Sequence, residues 1–202
     1  IVHLGARPVF VDVLPDQNID PNLIEKVITK KTKIIMTVHL TGRVSKMTEI
    51  KSIAKKYNLK IIEDAAQSVS AKIDGKVAGS IGDVGCFSAH PLKNLNAMGD
   101  GGYLTTNNKK IYMMVKKLSN HGIENRNIIR NFGYVSRMDN LQAAILNYRL
   151  KNLNTVISKR RLNAKIYYNN LNKTYIFMPP EQTNEYNTYH TFVIQIEKNR
   201  EK

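Results

Sequence analysis

Five short apolar runs, at residues 9–13, 34–38, 60–63, 84–88 and 103–106, are interspersed with segments of helical spacing at 21–28, 47–57 and 109–119. This alternation is the strongest constraint on the fold. Short runs separated by helices suit an α/β chain with a largely parallel sheet, because parallel strands need crossover connections. The segment 47–57 fits one crossover. Ile50, Ile53, Ala54 and Tyr57 recur at i, i+3, i+4 and i+7, which leaves Lys51, Lys55 and Lys56 outward. Open α/β sheets place ligands beyond the carboxyl ends of their strands, and here those ends deliver Asp64 and the turn from Ser88 to Lys93.

Further along, residues 138–171 read as one long helix, with Leu141, Ala144, Ile145 and Tyr148 on a single stripe. Pro179-Pro180 then interrupts the pattern, and 189–196 reads as a strand. With 202 residues and 42% hydrophobic content, the chain is long enough for one sizeable core and the beginning of something more. No apolar run approaches the roughly 20 residues that span a bilayer, so a soluble cytoplasmic protein without membrane association is the default. The single cysteine, Cys86, has no internal disulfide partner and sits in an apolar run, where it packs as a small hydrophobe.

The net charge of +15 raises the question of a polyanion partner. Residues 107–173 hold 14 Lys/Arg against 2 Asp/Glu, which is +12 of that total. Solvated helix faces explain most of it, attraction of a diphosphate-bearing substrate comes second, and nucleic acid ranks last because no aromatic-interleaved basic motif is present. A basic binding protein without catalysis is nonetheless the alternative from another functional class.

Two segments carry chemistry. Gly85-Cys86-Phe87-Ser88-Ala89-His90-Pro91-Leu92-Lys93 places one lysine in a small-residue turn after an apolar run, and Ile61-Ile62-Glu63-Asp64-Ala65-Ala66-Gln67 places a carboxylate at the end of another. A lysine that can hold an aldehyde as an imine, with an aspartate that can keep a pyridine nitrogen protonated, points to pyridoxal 5′-phosphate. No His, Cys or acid spacing suits a metal, and neither a dinucleotide fingerprint nor a P-loop occurs.

Both segments resemble the sugar aminotransferases of the DegT/DnrJ/EryC1/StrS family, which are pyridoxal-phosphate enzymes of fold type I. The resemblance extends through Gly5-Ala6-Arg7-Pro8, Val38-His39-Leu40-Thr41-Gly42, Ser119-Asn120-His121-Gly122 and Arg137-Met138-Asp139-Asn140. It implies an aspartate-aminotransferase-like large domain over residues 1–137, an inter-domain helix over 138–172, and the start of a small α+β carboxyl-terminal domain over 173–202. Relative to the family, the chain reads as an internal piece lacking both ends.

By the same resemblance, Lys93 is the catalytic lysine and Asp64 pairs with the ring nitrogen. Ser88 contacts the cofactor phosphate, Gln67 lies near the ring against its 3′-oxygen, and His90 shapes the turn with Pro91. The glycines of Gly99-Asp100-Gly101-Gly102 are expected to supply positive φ and close backbone approach. Val135 departs from the pattern, since the family carries there an Asn that reaches the phosphate of the neighbouring subunit, while Arg137 helps hold a phosphate or structures the dimer. The implied activity moves an amino group, with glutamate as donor, onto a nucleotide-linked keto-deoxysugar for surface polysaccharide or lipopolysaccharide synthesis. Homodimers are implied as well. The related sugar dehydratases have histidine in place of the lysine, so Lys93 argues against them.

Overall fold

The computed structural model describes residues 1–196. The elements run α1 (Pro21–Val27), β1 (Ile34–Val38), α2 (Met47–Lys56), β2 (Lys60–Asp64), β3 (Lys72–Ile73), β4 (Lys76–Val77), β5 (Val84–Ser88) and β6 (Gly102–Thr105). There follow α3 (Lys109–Leu118), β7 (Ile123–Asn125), β8 (Ile128–Ile129), α4 (Asn140–Leu150), α5 (Leu153–Asn170) and β9 (Glu185–Tyr186). Local chemistry starts the helices. The Asp20 carboxylate accepts from Asn22 N (2.9 Å) with Pro21 in the first turn, and Asn108 Oδ1 accepts from Lys110 N (2.9 Å) and Ile111 N (3.3 Å).

The main sheet has the order β1-β2-β5-β6. Its first three strands are parallel, with Val38 opposite Asp64 and Asp64 opposite Cys86. β6 closes the edge antiparallel, pairing Cys86 with Leu104 and Ser88 with Gly102. One face packs on α1 and α2 through Ile24, Ile35, Met47, Ile50, Ala54 and Ile61, all buried. Complete burial of a side chain such as Ile50 contributes about 1.5–3 kcal/mol. The other face leaves Ile34, Met36, Val38 and Leu104 between 36% and 50% exposed.

Four elements differ from the sequence reading. Residues 9–13 join no ladder: Phe10 is 88% exposed, and only Val13 forms an isolated bridge, to Ile19. The long helix is two helices, parted at Lys151 and Asn152, where Asn152 takes φ −104° and ψ 2°. Residues 189–196 form no strand, and Gln195 makes one bridge with Phe177. In Gly99-Asp100-Gly101-Gly102 no φ is positive. Close approach is what Gly102 needs, since a Cβ there would lie 2.7 Å from Phe87 O.

The segment after α5 folds back and joins a second, small sheet of order β4-β3-β9. β9 pairs antiparallel with β3, Arg43 Nη2 donates to the carbonyls of Pro179 (3.0 Å) and Pro180 (2.8 Å), and Gln195 Nε2 donates to Pro15 O (2.5 Å). Segments far apart in sequence thereby meet beside the carboxyl ends of β1, β2 and β5. No helix among the described residues is long and apolar enough to cross a membrane.

Candidate active site

Asp64 ends β2 on the half-open face of the sheet, between Val38 and Cys86. Its Oδ1 accepts from Ala66 N (3.1 Å), the turn-capping bond open to any such Asp, while Oδ2 has no protein partner among the described residues. The carboxylate is near enough to Cys86 that, after burial, it is the second cause pushing the thiol pKa up. A half-buried thiol with a raised pKa is not an activated nucleophile.

Lys93 lies beyond β5 in a tight turn closed by its own N–H to His90 O (2.9 Å). Three side chains brace that turn. His90 Nδ1 accepts from Leu92 N (3.2 Å), Asn96 Nδ2 donates to Pro91 O (2.8 Å), and Arg149 of α4 donates to Asn96 O (2.9 Å). His90 thus shapes the turn, as the sequence suggested. Lys93 is half-buried, and among the described residues its amine has neither an ion pair nor an acceptor.

Ser88 ends β5, with its hydroxyl oxygen accepting from His90 N (3.2 Å), so the hydroxyl proton remains free to donate. Gln67 Oε1 accepts from Thr41 N (2.7 Å), which leaves the –NH2 end without a protein partner among the described residues. Val135 is 71% exposed on the segment after β8, and His121, Asp100 and Arg137 are also exposed. Among the described residues no group of three potential metal ligands forms.

Several residues at this end escaped the sequence reading. His190 is one: burial first, then the positive charges of Lys93 and Arg160, hold its imidazole down at about 4, so it is neutral near pH 7. Its Nδ1 is buried without a partner among the described residues. Thr188 is another, accepting from Asn94 Nδ2 (3.1 Å) beside Lys93 and donating from its N–H to Gly42 O (2.9 Å). One segment therefore joins the lysine turn to the loop that touches Gln67. Glu63 could have been noticed in the sequence, as a carboxylate inside an apolar strand must be answered by donors. His190 and Thr188, about 95 residues beyond Lys93, gave no such signal.

At or just beyond the ends of the adjacent strands β2 and β5, Asp64, Gln67, Ser88 and Lys93 offer, among the described residues, an unengaged carboxylate oxygen, a donor amide, a donor hydroxyl and an unpaired amine, with the small residues Ala65, Ala66 and Ala89 in the same segments. These are the kinds of group that pyridoxal phosphate needs. The sequence matches the profile of the DegT/DnrJ/EryC1/StrS aminotransferase family over residues 1–202. The chain belongs to that family. It is 43% identical over 199 residues to a dTDP-3-amino-3,6-dideoxy-alpha-D-galactopyranose transaminase of Aneurinibacillus thermoaerophilus, covering 96% of this chain and 54% of the relative.

Among solved family structures, DesV of S. venezuelae, in complex with a ketimine intermediate, superposes with TM-score 0.94 at 33% identity, over 99% of this chain and 54% of that one. NtdA of Bacillus subtilis, with bound cofactor PMP, gives 0.86 at 38% identity, over 96% and 45%. The chain spans about half the length of the family members it matches.

Proposed function

We propose that this chain forms the cofactor-holding part of a pyridoxal-phosphate-dependent aminotransferase that aminates a nucleotide-linked keto-deoxysugar, with glutamate as donor. The reading places the protein in the cytoplasm, as a homodimer, in the synthesis of surface polysaccharide or a related glycan. Its division is a large domain over 1–137, a helical connection over 138–172 and the start of a small domain from 173. The observation that carries it is that Asp64 ends β2 and Lys93 follows the adjacent strand β5, the first with an unengaged oxygen and the second with an unpaired amine among the described residues.

Bound there, pyridoxal phosphate supplies an electron sink for negative charge at the donor's α-carbon. The chain's own groups do the rest. Lys93 would hold the cofactor covalently through Nζ and, once displaced by the donor amine, move the proton from the α-carbon to C4′. Asp64, through its unengaged Oδ2, would accept from the ring N–H and keep that nitrogen charged, because a carboxylate within hydrogen-bond reach favours the protonated form. Ser88 would donate to a phosphate oxygen and Gln67 Nε2 to the ring oxygen. His190, being neutral, adds no positive charge beside Lys93.

The cationic surface of α3 and α5 favours encounter with a diphosphate-bearing substrate. The test is borohydride reduction with pyridoxal phosphate, followed by peptide mass mapping, on the protein that carries this chain together with its flanking sequence. A single adduct on Lys93 supports the proposal. Indiscriminate labelling of surface lysines, or no cofactor uptake, overturns it and leaves salt-sensitive polyanion binding as the function to measure.

A further inference from the structure

The loop after β1 rests on a base that solvent does not reach. The side chains of His39 and Glu63 have no exposed surface. Ser45 N–H donates to His39 Nδ1 (3.1 Å), so that nitrogen bears no proton and His39 Nε2–H donates to Glu63 Oε2 (2.8 Å). Glu63 also accepts from the N–H groups of Gly79 (2.8 Å), Ile81 (2.7 Å) and Gly82 (2.5 Å), which gives both oxygens two donors each. Ser45 Oγ accepts from Thr37 Oγ1 (2.7 Å) and donates to Val38 O (2.9 Å), tying the same base into β1.

Above that base the chain turns abruptly. Thr41 takes φ 62° and ψ 2°, a left-handed conformation rare for a β-branched residue. The surroundings over-determine it: Leu40 N donates to Asn18 Oδ1 (2.9 Å), Arg43 N to Leu40 O (3.0 Å) and Thr188 N to Gly42 O (2.9 Å). Backbone strain held in this way gathers at functional sites. Here its product is one bond, from Thr41 N to Gln67 Oε1 at 2.7 Å.

We propose that His39 and Glu63 are positioning residues for Gln67: their buried hydrogen bond holds the turn whose Thr41 N–H fixes which end of the Gln67 amide meets a ligand. This rests on the reading of the site given above. With Oε1 turned to the Thr41 N–H, the unengaged end of the Gln67 amide among the described residues is its –NH2, which pairs with an acceptor such as the ring oxygen of pyridoxal phosphate. Without the turn the amide is free to reverse and present a lone pair to that oxygen.

The test titrates pyridoxal 5′-phosphate by absorbance into the protein carrying this chain with its flanking sequence. Wild type, His39→Gln, Gln67→Ala and the double variant are compared, together with the thermal midpoint of each apoprotein. Either single change is expected to weaken binding about tenfold, and the double change by no more than that, because coupled residues are not additive. The pH midpoint of the bound cofactor's absorbance should move in the same direction in all three variants.

The inference is overturned if His39→Gln lowers the thermal midpoint but leaves affinity and absorbance as in wild type, or if the double variant shows the product of the two losses, about a hundredfold. Where His39→Gln does not fold, Ser45→Ala keeps the backbone donor and removes the Oγ bridge. It should then show the same pattern at smaller amplitude, and unchanged binding would count against the inference. A wild type that takes up no cofactor instead sinks the reading of the site, and this inference with it.

Discussion

Asn94, the residue after Lys93, donates from Nδ2 to the carbonyl of Thr188, 3.1 Å away and 94 residues further along the chain. Thr188 in turn donates to Gly42 O, so a single buried residue spans the space between the lysine turn and the loop after β1. Local folding of the turn is therefore incomplete without the segment that follows α5.

Asn94→Ala removes that donor and leaves the buried Thr188 carbonyl without it, which should cost about 1–3 kcal/mol. Asn94→Asp should be worse, because Asn94 Oδ1 is already buried without a donor among the described residues and a charge there would have none of them either. Denaturant titration of the two variants checks the order, and cofactor retention should fall with stability in both.

Glu63 gives the stability a pH dependence of known sign. Burial acts to raise its pKa, but the hydrogen bonds from His39 and from the Gly82 and Gly79 amides outweigh it, and the net shift is below the ordinary 4.5. The stabilisation is therefore present above about pH 4.5 and is lost as the pH falls through the folded-state value. Glu63→Gln should be less stable by about 3 kcal/mol near neutral pH, and less sensitive to acid, in denaturation curves taken from pH 7 to pH 3.

His190 adds a second acid-sensitive window, at higher pH. Its folded-state pKa of about 4 lies under the ordinary 6.5, so the unfolded chain takes up more protons between those values and stability declines as pH falls through that range. By NMR, the His190 ring should not titrate between pH 5 and 8. In Lys93→Ala its midpoint should rise, yet stay below 6.5, because burial is the larger cause.

Lys93→Arg keeps the charge but cannot form the covalent attachment. Turnover should fall at least about a hundredfold, the lower end of what positioned acid–base groups supply, with no borohydride-stable adduct on that peptide. His90→Ala, which removes only a turn contact, should retain most of the activity in the same assay.

Gly85→Ala should be among the most damaging small changes. A Cβ on Gly85 would overlap the backbone of Gly79, which, unlike a flexible side chain, cannot swing away. Overpacking of this kind costs about 1–3 kcal/mol, and here it also disturbs the amide that Gly79 donates to Glu63. The thermal midpoint of the variant, compared with that of Gly101→Ala, whose Cβ would meet nothing nearer than 3.5 Å and whose φ is not positive, measures it.

The legible parts of the fold were those specified by local patterns. β1, β5 and the crossover α2 follow directly from apolar runs and a 3.6-residue stripe, and Asp64 and Lys93 follow from where those runs end. The break between α4 and α5 was hidden because Leu150 and Leu153 continue the apolar pattern across it, with no Pro or Gly to mark it. Only the weak helix propensity of Asn152 hinted at a stop. Residues 9–13 and 189–196 have strand-like composition, but a strand exists only where a neighbour pairs with it, and composition carries no record of neighbours. At the site, the strand ends were readable and the bracing was not, since Thr41, Thr188 and His190 matter through long-range hydrogen bonds.

For anyone preparing these 202 residues without flanking sequence, the half-open face of the main sheet sets the conditions of handling. Ile34, Met36, Val38 and Leu104 offer adjoining hydrocarbon to the solvent. Such a surface binds hydrophobic dyes and resins, and kosmotropic salts drive it out of solution. Ammonium sulfate should therefore precipitate the protein early, and Met36 is an accessible target for peroxide, whose sulfoxide product would make that face wetter.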